Sequence, residues 1–504
     1  MTRALLCSSA IATVFLASGA GAEVTPKEVW DSWQAMLTSS GQELAVGATS
    51  DSGGVLEVSD VGVTYKDELG GSASVSFDKL TFKDNGDGTV TVTMPETYPV
   101  QMAFPAEADG PGSMKLTVVQ PGMTIVAGGS ATETSYDFTA PSLSIKLDEI
   151  TDASGKVLDT EADLAMTGAT GKYLVSQGGD KTVLDMSYTS KGLVLNVSGS
   201  DNSEGGVGQG RGTISLSDLT GTTKGNFLSA DMMANMAMAL NSGFTMDSAF
   251  SFGAMTADLD ITDASGPTKL AATATGGGFV LAMDKTRMNY GSSLNGAKFT
   301  LSGEQIPFPQ VEVAFAESGF NLLMPVTKSD TPQDFSFLTK VVDFTVSEDV
   351  WGLFDPAGSL SREPATVVVD LKGTGFWTQD IMDPSVQMDG AEPPGQLNSL
   401  DLVQVLAKVA GAEVSATGGL TFDNTDLQTF AGMPRPDGKI TVGIKGANQL
   451  VDNLIALGIL SEDDAMGFRM GMAMFARPGA GPDELTSEIE FKEGGLFANG
   501  QRLQ

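Results

Sequence analysis

Val55-Leu56-Glu57-Val58-Ser59-Asp60-Val61-Gly62-Val63-Thr64-Tyr65 places apolar residues at alternate positions on either side of Asp60. That period marks a strand with one face turned inward, and the stretch reads as two strands, 56–58 and 61–65. The alternation continues in Val75-Ser76-Phe77, Leu80-Thr81-Phe82 and Val90-Thr91-Val92-Thr93-Met94. Between them, Gly70-Gly71 and Asp84-Asn85-Gly86-Asp87-Gly88 are turn chemistry, so residues 55–104 are expected to form an antiparallel meander of hairpins. Further strands are expected at 143–147, 184–188, 193–197, 255–261, 279–283, 299–301, 311–315 and 367–371.

Helices are few. Thr25-Pro26-Lys27-Glu28 is a cap with proline at the first helical position, followed by Val29, Trp30, Trp33, Met36 and Leu37 at helical spacing up to Gly41. Residues 226–240 read as a second helix, and 397–410 as a third that ends at Gly411. Strands at 414–422 and 439–444, helices at 448–457 and 462–475, and strands at 485–491 and 496–498 follow, with an Asn499-Gly500 turn. The expected class is mainly β (α+β): an elongated twisted antiparallel sheet, shaped as an open groove or barrel, with a few flanking helices. Ile150-Thr151-Asp152-Ala153-Ser154-Gly155 recurs at 261–266, which would fit two similar meanders laid end to end. The expected divisions are 1–22, a signal peptide; 23–225, the first helix and meander; 226–395, a methionine-rich helix and second meander; and 396–504, a mixed segment closing the same fold.

Composition narrows the function. The chain has 29 Lys and Arg against 63 Asp and Glu, a net charge of −34, and no histidine. Such an acidic surface repels nucleic-acid backbones and anionic membranes. Histidine is unavailable as base, proton shuttle or metal ligand. Arg3, an apolar run from Ala4 to Leu16 and small residues ending in Ala20-Gly21-Ala22 have the layout of a secretory signal peptide, and the one cysteine, Cys7, lies inside it. The mature chain is therefore expected to lack disulfides, thiol catalysis and transmembrane segments, and to be exported, most simply to a bacterial periplasm.

No phosphate-loop or nucleophile-elbow pattern occurs. The glycine-rich run 205–212 reads as a flexible loop, and Asp84 to Gly88 fits a hairpin turn better than a calcium loop. Methionines cluster at Met232, Met233, Met236 and Met238, and again at Met466, Met470, Met472 and Met474. Clustered thioethers suit Cu(I), but methionine at helical spacing more commonly fills apolar packing. Met232, Met236, Met470 and Met474 are the candidate contacts for an apolar ligand; no catalytic, cofactor or metal residue is expected.

The C-terminal phrases Gly418-Gly419-Leu420-Thr421-Phe422-Asp423-Asn424-Thr425-Asp426-Leu427, Pro434-Arg435-Pro436-Asp437-Gly438 and Gly494-Gly495-Leu496-Phe497-Ala498-Asn499-Gly500-Gln501 resemble an exported Gram-negative family catalogued as domain of unknown function 2125. Trp351-Gly352-Leu353-Phe354-Asp355-Pro356, Arg362-Glu363-Pro364-Ala365-Thr366 and Glu28-Val29-Trp30-Asp31-Ser32-Trp33 extend the resemblance along the chain. The general look is similar to AsmA-like exported proteins, and that similarity implies a long curved sheet forming an apolar groove for lipid. The expected function is an exported, non-enzymatic binding protein that holds a lipid or other apolar ligand in a β groove of the cell envelope. The alternatives are an envelope-assembly protein that binds another protein through its sheet surface, and a hydrolase using paired carboxylates.

Overall fold

The computed structural model describes residues 23–504 except 40, 67–69, 105–110, 131, 179–180, 202–207, 229 and 387–393. The signal peptide expected at 1–22 lies outside the described residues. Helix α1 (Pro26–Ser39) is capped as its sequence predicts, with the Glu28 N–H donating to Thr25 Oγ1 at 3.3 Å and the Thr25 N–H donating to the Glu28 carboxylate at 2.9 Å.

The strands form one antiparallel sheet. β1 (Glu43–Ala45) and β2 (Ala48–Ser52) pair with β3 (Val55–Lys66), which pairs with β4 (Ser72–Asp84). β4 then forks, one end pairing with β5 (Val90–Thr93) and the other with β6 (Thr97–Ala103). β6 continues to β7 (Pro111–Val119), β5 to β8 (Thr124–Ser130), and both lanes rejoin on β9 (Glu133–Asp152). β10 (Asp159–Gly178), β11 (Lys181–Ser200) and β12 (Gln209–Leu228) follow in order.

β12 forks in the same way. The short helices α2 (Ala230–Met233) and α3 (Met236–Asn241) lead to β13 (Thr245–Phe252) at one end, and β14 (Met255–Asp263) takes the other. β14 pairs with β15 (Gly266–Ala274), β13 with β16 (Gly276–Met283), and the lanes rejoin on β17 (Met288–Gly303). β18 (Val311–Met324) and β19 (Gln333–Val346) follow; beyond the single-turn α4 (Glu348–Trp351) come β20 (Ala365–Trp377), β21 (Gly395–Val409), β22 (Ala412–Asp423) and β23 (Arg435–Lys445). α5 (Ala447–Ala456) and α6 (Glu462–Phe475) precede β24 (Arg477–Pro478), β25 (Glu484–Lys492), β26 (Gly495–Ala498) and β27 (Gln501–Arg502), which complete the sheet through the β23–β25 pair. Among the described residues no pairing joins β27 to β1 or β2, so the sheet is open. The protein is mainly β, as the alternating stretches predict.

The pairing pattern of β4–β9 is repeated by β12–β17. The recurring hexapeptide does not mark that repeat. Its first copy closes β9 and its second makes the β14–β15 turn, positions that do not correspond. What the copies share is a turn in which an aspartate accepts from the N–H two residues on: Asp152 from Ser154 at 2.8 Å, Asp263 from Ser265 at 2.7 Å.

A crease crosses the sheet. Asp60, Gly168, Asp218, Gly296 and Asp343, on β3, β10, β12, β17 and β19, have φ of 51°, 60°, 51°, 54° and 54°. Ladder pairing is interrupted at each, as at Asp60, where Ser59 pairs with Lys79 and Val61 with Phe77. Aspartate and glycine tolerate this left-handed backbone where bulkier residues do not. The apolar alternation changes phase there, from Leu56 and Val58 to Val61 and Val63, yet both sets pack in one core with Leu80 and Phe77. The two strands expected at 56–58 and 61–65 are therefore one strand, as are those at 184–188 and 193–197.

Two expected helices are corrected. Residues 397–409 belong to β21 and Ala410 to the turn after it; extra residues at Asn398 and Val403, marked by register shifts against β20, break strict alternation and imitate helical spacing. Residues 226–228 end β12, and the remainder is two short helices separated at Asn235, whose side chain caps α3 by accepting from the Met238 N–H at 3.1 Å. In the expected loop at 205–212, Gln209 onward is strand.

Candidate functional site: an uncovered apolar sheet face

Cross-strand register turns each strand's alternation into long ladders. On the β1 side, Leu44 pairs with Val63, Val63 with Val75, Val75 with Val100, Val100 with Leu116 and Leu116 with Leu147. From β10 onward Ala162 pairs with Val197, then Gly212, Leu259, Leu270, Leu301 and Val311 in turn. Two residues along lies a parallel ladder, Ile145, Leu164, Leu195, Ile214, Ala257, Ala272, Phe299, Val313 and Val346. A third runs Leu143, Met166, Leu193, Leu216, Met255, Ala274.

The intervening positions face the other way and carry the charge. Ion pairs cross between strands there, such as Lys79–Glu57 at 2.9 Å, Lys172–Asp137 at 3.1 Å, Arg211–Asp260 at 3.0 Å and Lys298–Glu312 at 2.7 Å. They are well exposed and contribute little stability each. Their effect is to mark a solvated face, the ordinary state of one side of an antiparallel sheet.

The apolar face needs a cover, and helices supply one beyond the crease. Val29 and Trp30 of α1 are 0% and 5% exposed and pack with Val58, Leu80, Phe82, Tyr136 and Val175. Trp33 stands edge-on to Phe82, with ring centres 5.5 Å apart. Farther along, Ala239 and Leu240 of α3 pack with Phe244 and Val326 against Met246, Met283 and Met288, residues paired across β13, β16 and β17. Burial raises the phenol pKa of Tyr98, Tyr136, Tyr173 and Tyr188, which line this same face.

On the other side of the crease that cover reaches Leu44 and Val63 on β1 and β3, but from β10 onward it is missing. Val197, Ile214, Leu259, Leu270 and Leu301 are 36–41% exposed, and of the three ladders there only small alanines such as Ala272 and Ala274 are buried. Contiguous half-exposed leucine, isoleucine and valine on a single-layer sheet is unlike the scattered apolar residues of an ordinary surface. Near its rim, Val157, Leu158, Val197, Leu259 and Ile261 line a hollow of about 580 Å³.

The methionines divide. Met236 and Met233 pack in the core below α3, with Met232 half-buried nearby in sequence. Met470 and Met474 are 65% and 64% exposed on α6, a different element, whose Arg469 is tied to Asp452 of α5. The ladder residues were not singled out by sequence reasoning; the available signal was their polar flanks, charged in some, as Lys146 and Asp148 about Leu147 or Asp258 and Asp260 about Leu259, and uncharged in others, as Thr213 and Ser215 about Ile214.

Two further constellations are structural. Asp355 is 0% exposed and accepts from the Ser359 and Leu360 N–H groups at 2.8 Å each and from Arg362 Nη1 at 2.5 Å, while Arg362 lies 4.6 Å over the Trp351 ring. Asp84 to Gly88 forms the β4–β5 hairpin turn, the Asp84 carboxylate accepting from the Gly86 N–H at 2.7 Å. No group of three carboxylate, imidazole or thiolate side chains able to hold a metal ion occurs among the described residues, and no described helix is long and apolar enough to cross a membrane.

These features define an amphipathic single-sheet protein with one apolar face partly roofed by helices. Residues 253–503 match the family model described as an uncharacterized protein conserved in bacteria, domain of unknown function 2125, and the chain belongs to that family. The matched part holds the Trp351–Arg362 knot and the C-terminal phrases, and the Glu28–Trp33 phrase lies outside it. No curated protein matches the chain. The uncovered ladders span both the matched and the preceding segments.

Proposed function

We propose that this protein is a non-enzymatic binding protein of the bacterial cell envelope that holds a lipid or other apolar ligand against the uncovered half of its sheet. The supporting observation is the group Val197, Ile214, Leu259, Leu270 and Leu301, half-exposed and contiguous by strand register. An apolar ligand laid there removes that area from water at about 25 cal/mol per Å². The charged opposite face and the net charge of −34 keep the carrier in solution. Export to a periplasm is supported by the leader-like residues 1–22, and Met470 and Met474, exposed on α6, are proposed as adaptable apolar contacts apart from the floor. Organic extraction of protein purified from its native compartment, followed by mass spectrometry, is expected to recover lipid above a control exported protein; equal recovery from both rejects the proposal.

A further inference from the structure

The dimensions of the floor set the class of ligand, an inference that rests on the reading above. The Ile145–Val346 ladder crosses nine strands, β9 to β12, β14, β15 and β17 to β19. At ~4.8 Å between neighbouring strands its eight steps extend about 38 Å along the sheet. An acyl chain of one membrane leaflet spans half of a hydrocarbon core about 30 Å thick, or about 15 Å. The flanking ladders are shorter, six steps from Ala162 to Val311 and five from Leu143 to Ala274, so the two troughs are walled on both sides over about 29 Å and about 24 Å, each longer than one acyl chain. On β10 the three ladders are represented by Ala162, Leu164 and Met166, so the floor has two such troughs across a width of about 13 Å at ~3.3 Å per residue.

The walls of the troughs are side chains rather than backbone, and they run across the strands. Small residues in the central ladder, Ala257 and Ala272, adjoin Gly212 in the next, giving a low stretch with larger Ile214, Leu195 and Phe299 about it. A single acyl chain lying there would leave most of the half-exposed leucines in water. We infer that the floor takes at least two acyl chains side by side or end to end, and that its ligand is a diacyl lipid with an uncharged or zwitterionic head. The choice of head follows from the net charge of −34, which disfavours approach of a further anion.

The test uses delipidated full-length mature protein and three probes: dipalmitoyl phosphatidylcholine, palmitoyl lysophosphatidylcholine and dipalmitoyl phosphatidylglycerol. Bound acyl chains per protein are counted by native mass spectrometry, and affinity is read by competition with a fluorescent acyl probe. At least two chains per protein are expected at saturation with either choline lipid. The diacyl choline lipid should bind at least tenfold more tightly than the single-chain one and more tightly than the glycerol lipid at low salt. Ala257→Trp, which interrupts the central ladder between Ile214 and Ala272, should lower the number of chains bound while the unfolding midpoint stays within a few degrees. One chain per protein at saturation, with equal affinity for one-chain and two-chain choline lipids, overturns this inference and leaves the binding proposal standing. Preference for the anionic lipid overturns the head assignment, and failure to bind any of the three overturns the binding proposal itself.

Discussion

Replacing Ile214 and Leu259 together by threonine should weaken apolar binding without unfolding the sheet. The two side chains sit on adjacent strands in neighbouring ladders, 41% and 39% exposed. Complete burial of such a side chain contributes about 1.5–3 kcal/mol, so covering the exposed remainder gives a ligand roughly 0.6–1.2 kcal/mol at each position. Loss of both is about 1–2.5 kcal/mol, or roughly 5- to 60-fold in dissociation constant. Threonine retains β-branching and strand preference, which limits the effect on folding. The assay is titration with a fluorescent fatty acid, beside urea unfolding to verify the fold. Thr213→Val and Asp258→Asn are the controls, since these paired residues lie on the same strands but face the charged side. Unchanged affinity in a folded double variant, or an equal loss in the controls, would refute the assignment of binding to this face.

Trp30→Ala removes the 5% exposed indole by which α1 closes its end of the core, and should lower stability by about 3–5 kcal/mol in urea unfolding; a change under 1 kcal/mol contradicts the packing role. At Asp355 burial pushes the carboxyl up, but the Arg362 hydrogen bond and the Leu360 and Ser359 amides outweigh it and hold it below its usual value of 3.8. A depressed carboxyl contributes stability above its unfolded pKa and loses it as pH falls through the folded one, so Asp355→Asn should lower the melting temperature at pH 7 with a gap that closes below about pH 4. A gap constant from pH 7 to pH 3 contradicts this. With a net charge of −34, melting temperature should rise as sodium chloride shortens the Debye length from ~30 Å at 0.01 M to ~10 Å at 0.1 M; a flat series shows the acids to be too dispersed to interact.

Much of the sheet was legible residue by residue. Alternation at 55–65 and 255–261 correctly located β3 and β14, and the Thr25-Pro26-Lys27-Glu28 cap located α1, because these signals are local. The crease was not legible, since a phase change at Asp60 or near Lys191 has the same appearance as a hairpin between two short strands. β21 was misread because two extra residues, Asn398 and Val403, shift its apolar positions off the period of two. The floor itself depends on register between strands far apart in the sequence, as for Gly212 and Leu259, which no single stretch reveals. Methionine clustering drew attention to Met236, which proves to be a packing residue of the α3 core, whereas the uncovered surface is built from ordinary leucine, isoleucine and valine.

Adjacent residues of β12 offer the sharpest discrimination, because Ile214 lies in the apolar ladder while Thr213, whose hydroxyl donates to Asn196 at 2.9 Å, lies on the charged face. A photo-crosslinking amino acid placed at each position in turn, irradiated in intact cells and followed by mass spectrometry of the purified protein, compares the two faces one residue apart. Lipid adducts at position 214 and none above background at 213 are predicted. Adducts at neither position, or equally at both, would contradict binding by the uncovered apolar face.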